Sequence, residues 1–175
     1  MVACAAWALQ AAGVTTVDPG RGWWTIVDAV TAYDEPVVLH DPLCPATPPD
    51  FLAQCVAEAM DADAIVVGVR PVTDTVKELV PGPSPSSLSL VGRTLDRDQL
   101  WTAASPVVLP PRVVTSWTSL PPLDAPFTSL ISALLAHDAA AAASSDASSG
   151  RGAVWLAAPA SARRIAGLED LALLT

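Results

Sequence analysis

Positive charge is scarce in this chain of 175 residues, which has 9 lysines and arginines against 18 aspartates and glutamates and a net charge of −9. Lys77 is the only lysine. Proteins that bind nucleic acid gather their cations into a basic patch or stripe, and no stretch of this sequence does so. We therefore expect no nucleic-acid partner, and a site for a polyphosphate would have to be built from a few arginines.

Long hydrophobic runs and paired cysteines are also missing. Apolar stretches such as 64–69 fall far short of the ~18 residues that span a bilayer, so we expect no membrane partner. The apolar opening at 2–9 follows no basic residue and predicts a buried helix rather than a secretory signal. Cys4, Cys44 and Cys55 are odd in number and irregularly spaced. They favour a reducing, cytoplasmic location over a disulfide framework, and their spacing makes a zinc site improbable.

The pattern along the chain predicts one α/β domain over 1–175. Apolar periodicity and turn signals predict helices at 3–12 (capped by Gly13), 23–33, 48–60, 98–104, 111–118, 126–137 and 168–174, and strands at 14–17, 36–40, 64–69 and 153–157. Strand–helix–strand alternation implies right-handed crossovers in a doubly wound, parallel sheet. Residues 73–80 and 90–95 predict a projecting hairpin, and 139–152 a low-complexity mobile loop with a helical start. Four tryptophans are expected in the core: Trp7, Trp101, Trp117 and Trp155.

Three groups of motifs occur in a specific order. The first is Val37–Pro45, an apolar strand that runs into His-Asp-Pro-Leu-Cys-Pro. The second is Asp63–Val67 with Pro71–Lys77 (Pro-Val-Thr-Asp-Thr-Val-Lys), continued by Arg93–Pro106 with its Asp-Arg-Asp-Gln-Leu-Trp. The third is Arg163–Leu173, which contains Gly-Leu-Glu-Asp-Leu. In this order the motifs resemble the methylerythritol phosphate cytidylyltransferases of the non-mevalonate isoprenoid pathway.

The resemblance implies a Rossmann-like nucleotidyltransferase fold of the glycosyltransferase-A type, with a three-layer sheet and a β-hairpin arm over about 70–97 that makes a homodimer. The implied reaction joins cytidine triphosphate (CTP) to methylerythritol phosphate and releases pyrophosphate, with Mg²⁺ bridging the phosphates. The family's first strand and Gly-rich phosphate loop would lie before Met1, so we expect the chain to lack them. We expect impaired activity; the alternatives are an inactive relative kept as a dimerisation or interaction module and, more remotely, an unrelated α/β binding domain.

Asp41 and Arg164 are the catalytic candidates that the resemblance implies. Asp41 follows a buried strand, where doubly wound folds bind their ligands, and matches a family aspartate that faces substrate and metal. The alternative is a turn aspartate before Pro42. Arg164 falls where the family has a catalytic lysine, for which a planar guanidinium is an imperfect replacement. Cys44 and Ala166 replace a substrate-binding arginine and a threonine of the family, which counts against activity.

Four further residues match family positions that contact ligands. Thr75, Arg97 and Ser105 correspond to residues that contact methylerythritol phosphate, partly from the neighbouring subunit, and Thr25 falls at a serine beside the cytosine. Each has a simpler explanation as well. Arg97 could pair locally with an adjacent aspartate, and Thr75 could be a good strand former. His40 is expected to be a packed residue at a strand end rather than a ligand.

Overall fold

The computed structural model describes residues 2–16, 23–82, 88–117, 126–144, 152–165 and 167. Its helices are α1 (Val2–Ala11), α2 (Trp23–Tyr33), α3 (Pro49–Ala62), α4 (Pro111–Thr115) and α5 (Phe127–Ser144). Its strands are β1 (Val37–Leu39), β2 (Val66–Pro71), β3 (Lys77–Val80), β4 (Leu90–Thr94), β5 (Trp101–Leu109) and β6 (Val154–Ala157), and two 3-10 helices cover Arg97–Gln99 and Ala160–Ala162. Two units result: a hairpin unit, Arg70–Thr102, and a sheet unit, Met1–Val69 with Ala103–Thr175. Among the described residues, no helix is long and apolar enough to cross a membrane.

A four-stranded sheet in the order β1-β5-β2-β6 organises the sheet unit. β1 and β5 are antiparallel, with Leu39 opposite Val107, whereas β2 and β6 are parallel, with Val66 opposite Val154. The α/β class with a central sheet is therefore confirmed. The parallel pairing expected for β1 from its apolar run is wrong, because its neighbour β5 runs antiparallel to it.

Strand β5 is also where the predicted secondary structure fails. Residues 98–104 were expected to be helical, but a 3-10 turn at Arg97–Gln99 leads directly into β5 at Trp101. The far end of this strand is fully buried, with Val107, Val108 and Leu109 all at 0% exposure. Burial of that end between neighbouring strands outweighs the local helical preference of the segment before it.

Helices cover both faces of the sheet, which gives the three layers that the resemblance implies. On one face, side chains of β2 and β5 pack under α2, α4 and α5 in a core that includes Val67, Val107, Val113, Leu130 and Leu134. On the other face, Val66 and Val108 pack against Phe51, Cys55 and Ala59 of α3. Alternate strand residues point to opposite faces, so neighbouring valines of one strand serve different cores.

Helix α1 ends at a glycine, as predicted. The N–H of Val14 donates to the Leu9 carbonyl (2.9 Å) and that of Gly13 to the Gln10 carbonyl (3.0 Å). Gly13 has φ +80°, which is the left-handed cap of a Schellman motif. The strand predicted at 14–17 is wrong for Val14–Thr16, which have no strand pairing, and Val17 lies outside the described residues.

The tryptophan prediction holds for one residue of four. Trp117 is 2% exposed and packs against His137, with ring centroids 4.5 Å apart. Trp7, Trp101 and Trp155 are 65%, 57% and 54% exposed. Trp155 lies on β6, an edge strand with alternating burial, where every second side chain points away from the core.

The C-terminal helices are longer than expected or undescribed. Helix α5 runs on to Ser144, six residues into the segment where a loop with a helical start was predicted. Residues 145–151 and the closing helix predicted at 168–174 lie outside the described residues. Strand β6 (Val154–Ala157) is confirmed close to its predicted bounds.

The hairpin unit contains the predicted antiparallel pair. In it, Leu79 of β3 lies opposite Val91 of β4, and Val80 lies opposite Leu90. All four side chains are exposed, from 44% for Val80 to 70% for Val91. Residues 83–87, between the two strands, lie outside the described residues. Because successive strand residues face opposite ways, the hairpin presents an apolar cross-strand pair on each of its faces.

The three free cysteines differ sharply in exposure, which predicts their reactivity. Cys4 is exposed, whereas Cys44 and Cys55 are buried, and burial raises the pKa of Cys55 to about 12. The thiolate is the form that attacks a disulfide reagent, so we expect one thiol per chain to react quickly with an aromatic disulfide reagent at pH 8. The other two should react on the order of 100-fold more slowly, since they need the fold to open.

The fast reaction should disappear in Cys4→Ser. The pKa of Cys55 is higher in the folded chain than in the unfolded chain. Cys55 therefore contributes to stability at a pH below its unfolded pKa, and this contribution is lost as the pH rises toward its folded pKa. Two or more rapidly reacting thiols in the native chain would contradict the burial of Cys44 and Cys55.

Candidate functional site

Asp41 lies two residues after the end of β1, and its carboxylate shapes the turn that follows. The residue is 7% exposed, and its Oδ1 accepts the backbone N–H of Leu43 at 2.9 Å. The Asp41 carbonyl accepts the N–H of Cys44 at 2.9 Å. This is the turn role that the sequence left open as the alternative for Asp41. One oxygen of the carboxylate is occupied in this way, and the other takes part in a second interaction.

That second interaction is with Arg164, which is 123 residues away in sequence. The Nε of Arg164 donates to Oδ2 of Asp41 at 2.8 Å, and the Arg164 side chain is 59% exposed while that of Asp41 is 8% exposed. Next to it, the N–H of Ile165 donates to the Leu43 carbonyl at 2.7 Å. The two catalytic candidates are thus in contact, and a buried carboxylate anchors a guanidinium that faces solvent.

Ser105 lies beneath this pair, on β5. It is 0% exposed, and its Oγ accepts the backbone N–H of Asp41 at 3.0 Å. The same Oγ is hydrogen-bonded to Nδ1 of His40. Ser105 is therefore in the candidate site, but as a buried support for Asp41 and His40.

Burial favours the neutral form of His40. Burial lowers its pKa below the ordinary value of 6.5, and the charge of Asp41 and the backbone of Cys44 counteract that effect only in part. A neutral imidazole has one nitrogen that accepts a hydrogen bond. His40 is thus packed at a strand end, as predicted, and is also hydrogen-bonded within the site.

Thr75 and Arg97 belong to the hairpin unit. Arg97 donates from Nη1 to the Thr73 carbonyl at 2.7 Å, while the Asp96 carboxylate accepts from the N–H of Asp98 and from the side chain of Gln99. Thr75 is exposed and lies between β2 and β3 without strand structure. The proposed local pairing of Arg97 with an aspartate is thus replaced by a backbone contact that orients the guanidinium.

Thr25 lies in the first turn of α2, on an exposed part of that helix. Its neighbour Trp24 is 62% exposed, while Trp23 packs against the core of the sheet unit. Cys44 is 2% exposed, and Ala166 lies outside the described residues. The structure brings Asp41, Arg164 and Ser105 together, and Thr25 lies on a different element of the same unit.

A family model decides the relationship of this chain to known proteins. The model for 2-C-methyl-D-erythritol 4-phosphate cytidylyltransferase matches residues 23–119, more than half of the chain. The chain belongs to this cytidylyltransferase family. The matched range includes Asp41, Arg97 and Ser105, and it ends before Arg164. Among curated proteins, none matches the chain.

Solved structures of cytidylyltransferases agree with the family assignment at the level of the fold. A 4-diphosphocytidyl-2C-methyl-D-erythritol synthase is similar over 88% of this chain, with 17% identity and a TM-score of 0.56. The 2-C-methyl-D-erythritol 4-phosphate cytidylyltransferase of Thermus thermophilus is similar over 93% of this chain, with 19% identity and a TM-score of 0.55. This chain spans 62% of the first structure and 72% of the second.

The site of this cytidylyltransferase-family chain does not by itself fit a magnesium ion. Mg²⁺ prefers oxygen ligands and is often held by one or two carboxylates together with substrate phosphates. Both oxygens of Asp41 already have donors, and one donor is the cationic Arg164. In the described part of the chain, no group of three or more histidine, cysteine or acidic side chains could hold a metal. A metal at Asp41 would have to share the carboxylate with the cationic Arg164, so metal binding there stays a prediction.

Sequence reasoning missed the link between His40 and Ser105. The register of β1 and β5 pairs Leu39 with Val107, and continuing it places Asp41 opposite Ser105. That register could have been found only if β5 had been recognised as the neighbour of β1. Because its first residues were predicted to be helical, the pairing was not available from the sequence.

Proposed function

We propose that this chain binds a phosphorylated sugar alcohol of the methylerythritol phosphate type at the Asp41–Arg164 pair. The observation that carries the proposal is the guanidinium of Arg164, anchored at 2.8 Å by a buried carboxylate and 59% exposed. An arginine held in this way has further N–H groups with which to receive a phosphate in bidentate geometry. Membership of the cytidylyltransferase family supports this class of substrate.

In this proposal each residue has a distinct task. Asp41 orients Arg164 and keeps the turn at Leu43 closed, and Arg164 neutralises charge on a phosphate. The resemblance assigns further substrate contacts, partly from the neighbouring subunit, to Thr75 and to Arg97, which is held by the Thr73 carbonyl, and it assigns a nucleotide contact to Thr25. The reaction of the family is transfer of a cytidylyl group from CTP to the sugar phosphate. Mg²⁺, where it takes part, screens charge on the nucleotide phosphates.

We further propose that the 175-residue chain taken alone is a poor catalyst of that transfer. Arg164 stands at a position where a lysine is expected, and Cys44, which is buried, stands where an arginine is expected. Loss of one preorganised donor costs roughly 10²–10³ in rate. Of the residues that the resemblance assigns to the substrate, the sequence keeps Asp41, Arg97 and Thr75, so sugar phosphate binding should outlast turnover.

Calorimetry on the purified chain tests the proposal. With CTP, methylerythritol phosphate and magnesium, we expect heat on addition of the sugar phosphate, weaker heat with the nucleotide, and no pyrophosphate above background. Arg164→Met and Arg97→Ala should each weaken sugar phosphate binding roughly 10- to 100-fold, since a charge-assisted hydrogen bond is lost. Arg93→Ala is the matched control, because Arg93 pairs with Glu78 on the exposed hairpin.

Two results would contradict different parts of the proposal. Sugar phosphate binding that is equally strong in Arg164→Met would remove the proposed site. Pyrophosphate release that disappears in Asp41→Ala would show that the chain is an active cytidylyltransferase, and the proposed impairment would be wrong.

A second candidate function is an inactive relative that acts as a dimerisation or interaction module. Two exposed apolar pairs of the hairpin unit favour this function: Leu79 with Val91, and Val80 with Leu90. An exposed apolar surface on a short sheet is typical of an interface with another chain. We propose that in either case a second copy of the chain packs on this surface and gives a homodimer. Absence of sugar phosphate binding in a chain that dimerises would favour this second function.

The free cysteines support the cytoplasmic location expected from the sequence.

A further inference from the structure

Ser105 is fully buried in the candidate site, and its hydrogen bonds indicate what it does there. A serine hydroxyl has one O–H donor and two acceptor lone pairs. The Ser105 oxygen accepts the N–H of Asp41 at 3.0 Å, and its other partner is Nδ1 of His40. In the arrangement proposed below, the Ser105 O–H donates to Nδ1. The proton of His40 then lies on Nε2, a buried atom with no hydrogen-bond partner among the described residues.

The pairing of β1 with β5 shows where in the sheet the Ser105 hydroxyl meets Asp41. β1 ends at Leu39, which pairs with Val107 of β5, and the continued register places His40 opposite Pro106 and Asp41 opposite Ser105. Where the backbone pairing of β1 and β5 stops, the hydroxyl of Ser105 accepts the N–H of Asp41.

We propose that Ser105 is a positioning residue, which acts on substrate through Asp41 and Arg164 and does not itself touch substrate. Its hydroxyl holds the backbone of Asp41 between β5 and His40. The carboxylate of Asp41 in turn holds Arg164, so the direction of the exposed guanidinium depends on a serine that is 0% exposed. This role differs from the direct substrate contact that the family resemblance implies for Ser105. Its catalytic part rests on the proposed function, whereas its hydrogen-bond part does not.

Nuclear magnetic resonance of the full chain tests the hydrogen bonds without any substrate. In the wild type, the ¹⁵N shifts of His40 should show an unprotonated Nδ1 and a protonated Nε2. In Ser105→Ala, the Nδ1 resonance should shift, and exchange of the Asp41 amide proton should accelerate about tenfold. Ser105→Thr, which keeps the hydroxyl, should restore both signals.

The matched control is Ser116→Ala. Ser116 is another serine whose hydroxyl donates to a backbone carbonyl, that of Val113 at 2.8 Å, at the C-terminal end of α4. Its loss should leave the His40 shifts unchanged. A wild-type His40 protonated on Nδ1 would overturn the proposal, and this measurement needs no variant to fold. Unchanged His40 shifts and Asp41 exchange in Ser105→Ala would also overturn it.

Sugar phosphate binding separates positioning from direct contact. If Ser105 acts through Asp41, Ser105→Ala weakens binding of methylerythritol phosphate about tenfold in the wild type and adds nothing in an Asp41→Ala background. Losses that multiply in the double variant would indicate direct contact and overturn the positioning role. If the wild-type chain binds no sugar phosphate, the proposed function fails, and the resonance measurements alone decide the role of Ser105.

Discussion

Replacing Arg112 by methionine is expected to lower the stability of the sheet unit by about 2 kcal/mol. Arg112 is the second residue of α4 and joins two other elements: its Nη1 contacts Oδ1 of Asp138 on α5 at 3.2 Å, and its Nε contacts Oδ2 of Asp63 at 3.3 Å. Its Nη2 donates to the Asp63 carbonyl at 3.1 Å, at the end of α3. The side chain of Asp138 is 8% exposed. Without Arg112, its buried carboxylate would lose this ion pair.

Thermal unfolding measures the effect, with an expected fall in Tm of about 4–8 °C for a chain of this size. Arg93→Met is the matched control. Arg93 also pairs with a carboxylate, but the side chains of Arg93 and Glu78 are 76% and 46% exposed, and such a surface pair contributes at most about 1 kcal/mol. Asp138→Leu in the Arg112→Met background should recover part of the loss. If Arg112→Met and Arg93→Met have the same Tm, the three-element contact does not stabilise the fold.

Introducing charge on the hairpin is expected to convert a homodimer into a monomer. Light scattering on the wild-type chain at micromolar concentration should give twice the monomer mass, and Leu79→Glu with Val91→Glu should give the monomer mass. These two side chains lie opposite each other and are 67% and 70% exposed in the single chain. Two carboxylates buried without partners would cost more than an interface of ordinary affinity returns.

The control introduces a single glutamate on a different surface of the chain. Trp7 on α1 is 65% exposed, so Trp7→Glu removes a comparable apolar surface from the sheet unit and should leave the dimer intact. A wild-type chain that is monomeric throughout the micromolar range would rule out the homodimer. Dimerisation that is lost in Trp7→Glu but kept in the hairpin variant would locate the interface on the sheet unit.

The candidate site could be predicted from the sequence only where a motif marked it. Asp41 and Arg164 were both identified by their motifs, and the structure places Nε of Arg164 2.8 Å from Oδ2 of Asp41. Nothing in either motif indicated that Arg164 would occupy the oxygen expected to face a metal. Arg164 reaches the Asp41 carboxylate because two segments that are distant in sequence lie close together in the fold.

The outcome for Thr75 and Arg97 has a similar cause. Both were assigned from motifs in the hairpin, and they do lie in the hairpin unit. The expected local pairing of Arg97 failed because the Thr73 carbonyl is its partner, 24 residues away. From the sequence alone, the adjacent carboxylates are the expected partners of an arginine. In the folded hairpin unit, a returning strand brings other acceptors within reach.

The sequence by itself determined the features that depend on short-range periodicity and backbone chemistry. Helices α2 and α3, the glycine that ends α1, the buried strand β2 and the apolar hairpin all follow from residues a few positions apart. Tertiary structure alone decided which strands are neighbours, and so placed β5 beside β1 and Ser105 beneath Asp41. The reason is physical: a strand satisfies its backbone only through a partner that is distant in sequence. Local residues therefore specify that a strand forms, and the packed sheet specifies its partner, its direction and its register.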